Sequence, residues 1–282
     1  MTIRHFIQAI KTNAKLGWDQ EGNWAPPLLY LLFALIAPIS GVLMLVFMYL
    51  VVKKDTSDPS FLAFLLAGSA MFLYIRTIFS GSGYAVIDDR EHYKILRYTY
   101  IVPVPFPIQI VGRVSVKLMI SIVGMIATIS VGKIFLGIPF RPDGILWGQF
   151  AGSLGLGLIG LYGMGWMLAS VMLLLDRMGW VWAEGVSGIL FLAGGAIIPL
   201  SMLPWPMVWL GKILPMTYWA DLWRISLYGD LPVLAQPNLS VPQLWTWLIT
   251  LTIIWFVVSL IWYSICDRLA RKLGRIELES FY

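Results

Sequence analysis

The chain has 282 residues, of which 59% are hydrophobic and only 12% charged, with a mean hydropathy of +0.80. That is far from the mixture of a soluble domain and places the chain in a bilayer, where only helices or closed barrels keep every backbone group paired. The single cysteine, Cys266, excludes a disulfide framework and a cysteine-based metal site, and the basic residues behind the formal charge of +5 flank apolar runs, which suits anionic lipid headgroups better than nucleic acid.

The apolar runs are long and do not alternate with polar residues, so they predict helices and an all-α membrane protein forming one domain over 1–282. In the first segment, 1–24, Ile3, Phe6, Ile7, Ile10, Ala14 and Trp18 fall near one helical face, away from Arg4, Gln8, Lys11 and Lys15. That pattern predicts an amphipathic helix lying in the headgroup region. Gly22 and Pro26-Pro27 then break the chain. Six transmembrane helices are predicted at about 28–52, 61–84, 111–136, 145–175, 181–203 and 244–266. The fourth run exceeds one membrane thickness and must tilt, project or break. Thirteen lysines and arginines fall at the termini and in the even-numbered loops, among them Arg268, Arg271, Lys272 and Arg275, against six on the other side. The positive-inside rule then puts both termini in the cytoplasm.

Two connections are long enough to carry function. The cytoplasmic one, 85–110, opens on the cluster Asp88-Asp89-Arg90-Glu91; the external one, 204–243, holds Trp205, Trp209, Trp219 and Trp223 among five prolines. The order Asp89-Arg90-Glu91, then Val102-Pro103-Val104, then Gly112-Arg113 resembles the cytoplasmic segment of type 2 ATP-binding cassette (ABC) exporter permeases. Gly194 to Pro204 is similar to the glycine-to-proline end of that family's fifth span, and Leu214-Pro215-Met216-Thr217-Tyr218, closing at Arg224, to the segment that follows it outside. The resemblance covers essentially the whole chain, with one departure: Tyr93-Lys94 stands where the family often has Gly-Thr.

The resemblance implies re-entrant helices between spans five and six, a prokaryotic-type inner membrane, and export of an amphiphilic cargo such as a drug, a lipid or a lipid-linked glycan by alternating access. It also implies a second permease chain, identical or related, and two copies of a cytoplasmic ATPase subunit that binds ATP and Mg. The chain itself has no phosphate-cradling loop. Its Gly-Lys pairs, Gly132-Lys133-Ile134 and Gly211-Lys212-Ile213, lack the following hydroxyl residue and the preceding glycine, so hydrolysis falls to the partner and this chain is not an enzyme.

Four groups of residues carry the functional expectations. Asp88, Asp89, Arg90 and Glu91, beside the apolar anchors Tyr93 and Leu96, are candidates for docking the ATPase, the alternative being a solvated face. Arg76 and Glu184 are ionisable residues within predicted spans at similar depth, and they either pair or snorkel to the interface. Pro199, Pro204, Trp205, Trp209, Pro215, Tyr218, Trp219 and Trp223 are candidates for an external gate or interface, as an aromatic belt or as cargo contacts. The glycines between Gly148 and Gly165 allow helices to approach closely. A secondary transporter would show inverted repeats and coupling-ion ligands, and a membrane-embedded enzyme a nucleophile with its base or a ligand cluster; His5 and His92 are isolated, and neither pattern is present in the sequence.

Overall fold

The structure, a computed structural model, describes residues 3–22, 59–136, 144–175, 179–229 and 233–276, with scattered positions between 26 and 47. Every regular element among the described residues is helical. Helix α1 (Ile3–Gly22) precedes the predicted first span at 28–52, which lies largely outside the described residues. Among the described residues four helices are long and apolar enough to cross a membrane: α2 (Ser60–His92), α3 (Phe106–Leu136), α4 (Trp147–Leu174) and α8 (Val241–Lys272). Between α4 and α8 the described residues form three shorter α-helices, α5 (Gly179–Ala193), α6 (Trp205–Ile213) and α7 (Pro215–Tyr228).

Local chemistry explains most of the boundaries. Prolines open α6, α7 and α8 in their first turns, where an amide hydrogen would go unpaired in any case. Ser240 and Gln243 form a capping box at the start of α8, with the Ser240 amide donating to Gln243 Oε1 at 2.9 Å. The fourth apolar run is one unbroken helix of 28 residues. At 1.5 Å per residue it is about 42 Å long, which exceeds the roughly 30 Å hydrocarbon core. The predicted fifth span, 181–203, is shorter than expected: α5 stops at Ala193 after 15 residues, because Gly195 turns the chain with φ 69° and Pro199 follows.

Helix α4 is the central post, and its glycines let three neighbours close on it. A side chain at Gly157 would meet the Trp219 ring of α7, one at Gly163 the Ser259 hydroxyl of α8, and one at Gly165 the Ser82 hydroxyl of α2. Helix α1 crosses α3 in the same way, where Gly17 lies against the Arg113 carbonyl and Gly112 against Asn13 and the Ile10 carbonyl. This contact buries Ala9 and leaves Phe6, Ile7 and Trp18 exposed, so the apolar stripe of α1 remains open to its surroundings.

Candidate functional site

The ends of α2, α4 and α8, the start of α3, and α1 meet at one end of the bundle, called here the basic end. Helix α2 was predicted to stop near residue 84 and release the charged cluster into a loop. Instead it continues to His92, with π-helical turns at Ile75–Ser80 and Asp88–His92, and the connecting loop narrows to 93–105. The reason is pairing. Asp89 is 1% exposed and forms an ion pair with Arg113 of α3, whose guanidinium also donates to the Ala85 carbonyl at 3.1 Å. Arg90, 4% exposed, donates to the carbonyls of Met172 at 3.0 Å and Leu175 at 2.6 Å, and pairs with Glu91 at 2.9 Å. Arg90 therefore caps the end of α4, where the last turn leaves carbonyls unpaired.

Of the six residues expected to face an ATPase, Asp89, Arg90 and Leu96 are thus buried within this chain, and Asp88 and Glu91 are half-buried. Tyr93 is exposed, and its hydroxyl donates to the Gln20 carbonyl of α1 at 3.3 Å. The buried charges tie α2, α3 and α4 together; the surface is presented by the loop. Tyr98, Ile101 and Val102 stand exposed on it, beside Arg97. Gln109, in the first turn of α3, holds the loop by donating to the carbonyls of Thr99 and Val104, both at 2.9 Å. Burial keeps the Tyr100 phenol above its ordinary range.

Arg76 and Glu184 come together. Arg76 Nε lies 3.9 Å from Glu184 Oε1, and the Tyr84 hydroxyl donates to the same carboxylate at 3.2 Å. The pair sits between α2 and α5 on an outer face, with side chains 58% and 39% exposed. Arg76 belongs to the π-helical turn Ile75–Ser80.

At the opposite end the expected gate residues divide. Trp205 and Trp209 are exposed on α6, with ring centroids 6.4 Å apart. Trp219 and Trp223 are fully buried: Trp223 lies 4.8 Å from Phe150 of α4 and 5.8 Å from Tyr74 of α2. Tyr218 is buried too, stacked 5.9 Å from Trp247 with its hydroxyl donating to the Lys212 carbonyl at 2.9 Å. Pro199 and Pro215 are buried and Pro204 is exposed. Trp219, Trp223 and Tyr218 thus pack in the core of this chain, the Trp219 ring against Gly157 of α4.

Sequence reasoning missed the polar centre of this end. Asp221 and Arg224 are entirely buried and pair at 3.1 Å. Arg224 also donates to the carbonyls of Gly195 and Ala196, both at 2.9 Å, and lies 3.6 Å from the Phe64 ring centroid of α2. Asp221 accepts the amides of Ala235 at 2.8 Å and Gln236 at 2.7 Å. The Asp-x-x-Arg spacing on a predicted helix was the available signal.

The pattern of long apolar helices with a charge-stitched loop end has a counterpart among known families. The family model described as ABC-2 type transporter matches residues 21–228. The chain belongs to the ABC-2 type transporter family. Among curated proteins, no relative matches it. In this ABC-2 chain the match takes in α2 to α7 with both charge clusters, and membership makes the chain a membrane-embedded permease component of an ABC transporter and not itself a catalyst.

Proposed function

We propose that this chain is the permease subunit of an ATP-driven exporter, in which the basic end faces the cytoplasm and both termini lie there, in a prokaryotic-type inner membrane. Two copies of a separate ATPase subunit, holding ATP and Mg, dock against the loop 93–105, and α6 and α7 form a re-entrant pair on the outer side. An amphiphilic cargo, a drug, a lipid or a lipid-linked glycan, passes outward by alternating access between this chain and a second permease chain.

The observation that carries this reading is the exposed Arg76–Glu184 pair. Arg76 lies about 24 Å along α2 from Ser60, and Glu184 about 7.5 Å along α5 from Gly179, so both fall inside the apolar lengths of their helices. A charged pair at that depth is costly against acyl chains. It is tolerated where it faces a water-lined path or another chain. The buried Asp89–Arg113 pair and the hydrogen bonds from Arg90 to the Met172 and Leu175 carbonyls supply the other requirement, a stiff link from the loop to α2, α3 and α4.

The test uses the purified complex of permease and ATPase in liposomes, with Arg76→Ala, Glu184→Ala and the double variant. We expect unchanged association with the ATPase and loss of cargo-stimulated ATP hydrolysis, with the double variant less impaired than the sum of the singles. Full stimulation in all three would remove the pair from the cargo path, and cargo movement by the chain without any ATPase would overturn the exporter reading.

A further inference from the structure

A cavity of about 420 Å³ opens at the basic end between the loop and the last turns of α8. Its walls come from both. Tyr100 stacks on Phe106 at 5.1 Å, Phe106 on Tyr263 at 6.4 Å, and the Arg271 guanidinium lies 4.9 Å from the Tyr100 ring centroid. Arg271 Nε also donates to Asp267 Oδ2 at 3.1 Å. The Tyr100 hydroxyl, the Tyr263 hydroxyl and the Asp267 carboxylate interact with one another in the cavity wall. Of the lining residues Val102 and Arg271 are exposed, and so are their chain neighbours Ile101 on the loop and Arg268 and Lys272 in the last turns of α8.

We propose that the ATPase subunit grips this permease at a second point, the joint cavity of loop and α8, through an acidic surface segment that carries an apolar side chain into it. The inference rests on the proposed function and goes beyond it, because it makes the last helix a direct contact of the motor. Three features select such a partner. The last turns of α8 beside the cavity expose Arg268, Arg271 and Lys272, so a complementary surface is acidic, and charges placed there steer encounter and register. Among prolines and valines the lining includes Tyr100, Phe106, Tyr263 and Arg271, side chains of the types that carry binding energy when a partner desolvates them. Ile101 and Val102 lie in the loop beyond the ends of α2 and α3, where exposed apolar side chains mark a protein contact. A lipid headgroup would answer the cations and leave the aromatic cavity and these apolar residues uncovered.

The experiment purifies the full complex in detergent with no added lipid. A photo-crosslinking benzoylphenylalanine replaces Val102 on the loop or Lys272 on α8, both exposed side chains. Both positions are expected to crosslink to the ATPase. The double reversal Arg271→Glu with Lys272→Glu should weaken association at least about tenfold and flatten its salt dependence, while Arg271→Lys stays close to the unmodified complex. Crosslinking from Val102 alone, with affinity within about twofold after the reversal, would overturn the second grip and leave the loop contact standing. No crosslink from either position in a complex that still assembles would overturn the loop contact as well. If the reversal changed only binding to vesicles rich in anionic lipid, the cations would be lipid anchors and the proposal would fall.

Discussion

Removal of the Arg224 guanidinium, by Arg224→Met, is the most severe single change the structure predicts away from the basic end. The substitution keeps an unbranched side chain in a fully buried position and deletes three hydrogen bonds, to Asp221 and to the carbonyls of Gly195 and Ala196. It leaves the Asp221 carboxylate with two backbone amides and no countercharge. Breaking a buried pair from one side costs about 3–5 kcal/mol, because the surviving charge stays in a medium that solvates it poorly. For a chain of this size that corresponds to a fall of roughly 6–10 °C in the midpoint of thermal unfolding. The double variant Asp221→Asn with Arg224→Met removes the orphaned charge and should unfold at a higher temperature than Arg224→Met alone, although it carries one more substitution. The assay is the fraction of purified protein that survives a heating series as a monodisperse peak in detergent. A midpoint within about 2 °C of the unmodified chain for Arg224→Met, on the order of 1 kcal/mol, would refute the buried-pair argument, and so would strict additivity in the double variant.

Gly68→Ala should destabilise by about 1–3 kcal/mol, since a methyl there would collide with the Ala196 carbonyl, whereas Gly155→Ala, with nothing nearby, should be neutral in the same heating series. Cys266 is buried, so it should resist thiol reagents from either side; in a Cys266→Ser background, Lys272→Cys should be labelled only from the cytoplasm and Met202→Cys only from outside, and the reverse pattern would overturn the orientation. Deleting Thr77 should convert the wide turn Ile75–Ser80 to an ordinary α-helix without rotating the flanking segments, giving a folded chain that has lost coupling between ATP turnover and cargo. Deleting Ala67 from the regular part of α2 rotates one flank by about 100° and should abolish folding, and equal yields of the two deletions by size-exclusion chromatography would refute this reading of the turn.

The long helices were legible because runs of apolar residues near membrane length leave few alternatives. The end of α2 was not, for a specific reason: Asp88 to Glu91 reads as a solvated loop when taken alone, and the partner that lets Asp89 stay helical and buried is Arg113, on another helix. Proximity in space decided the boundary. Arg76 and Glu184 could be brought together on paper because helix direction and position set their depths; composition could not separate the buried Trp219 and Trp223 from the exposed Trp205 and Trp209. What distinguishes the buried pair is what the fold places opposite each ring, Gly157 for Trp219 and Phe150 for Trp223. Asp221 was overlooked because a lone acid among aromatics has no periodic signature, and its value lies in two amides supplied by residues 235 and 236.

Helix α2 is fixed near both ends and wide in the middle. Toward one end Gly68 lets the Ala196 carbonyl close in, and Arg224 presses on Phe64; at the other, Asp89 and Arg90 bind α2 to α3 and to the end of α4. Both fixings use buried ionised groups and near-contact with backbone, which yield only by breaking. Between them lies the turn Ile75–Ser80, whose looser hydrogen-bond pattern is the part of an α-helix most readily rearranged, and it carries Arg76. A displacement delivered at the loop therefore reaches the Arg76–Glu184 face either by moving α2 as a rod or by rewinding this one turn. The two routes differ in what happens to Glu184. A rod carries Arg76 past α5 and breaks the pair, while rewinding turns Arg76 about the axis of α2 and can exchange Glu184 for a different partner. Because α2 is held at both ends, the second route disturbs fewer buried contacts, and it places the switch where the exposed charge already sits.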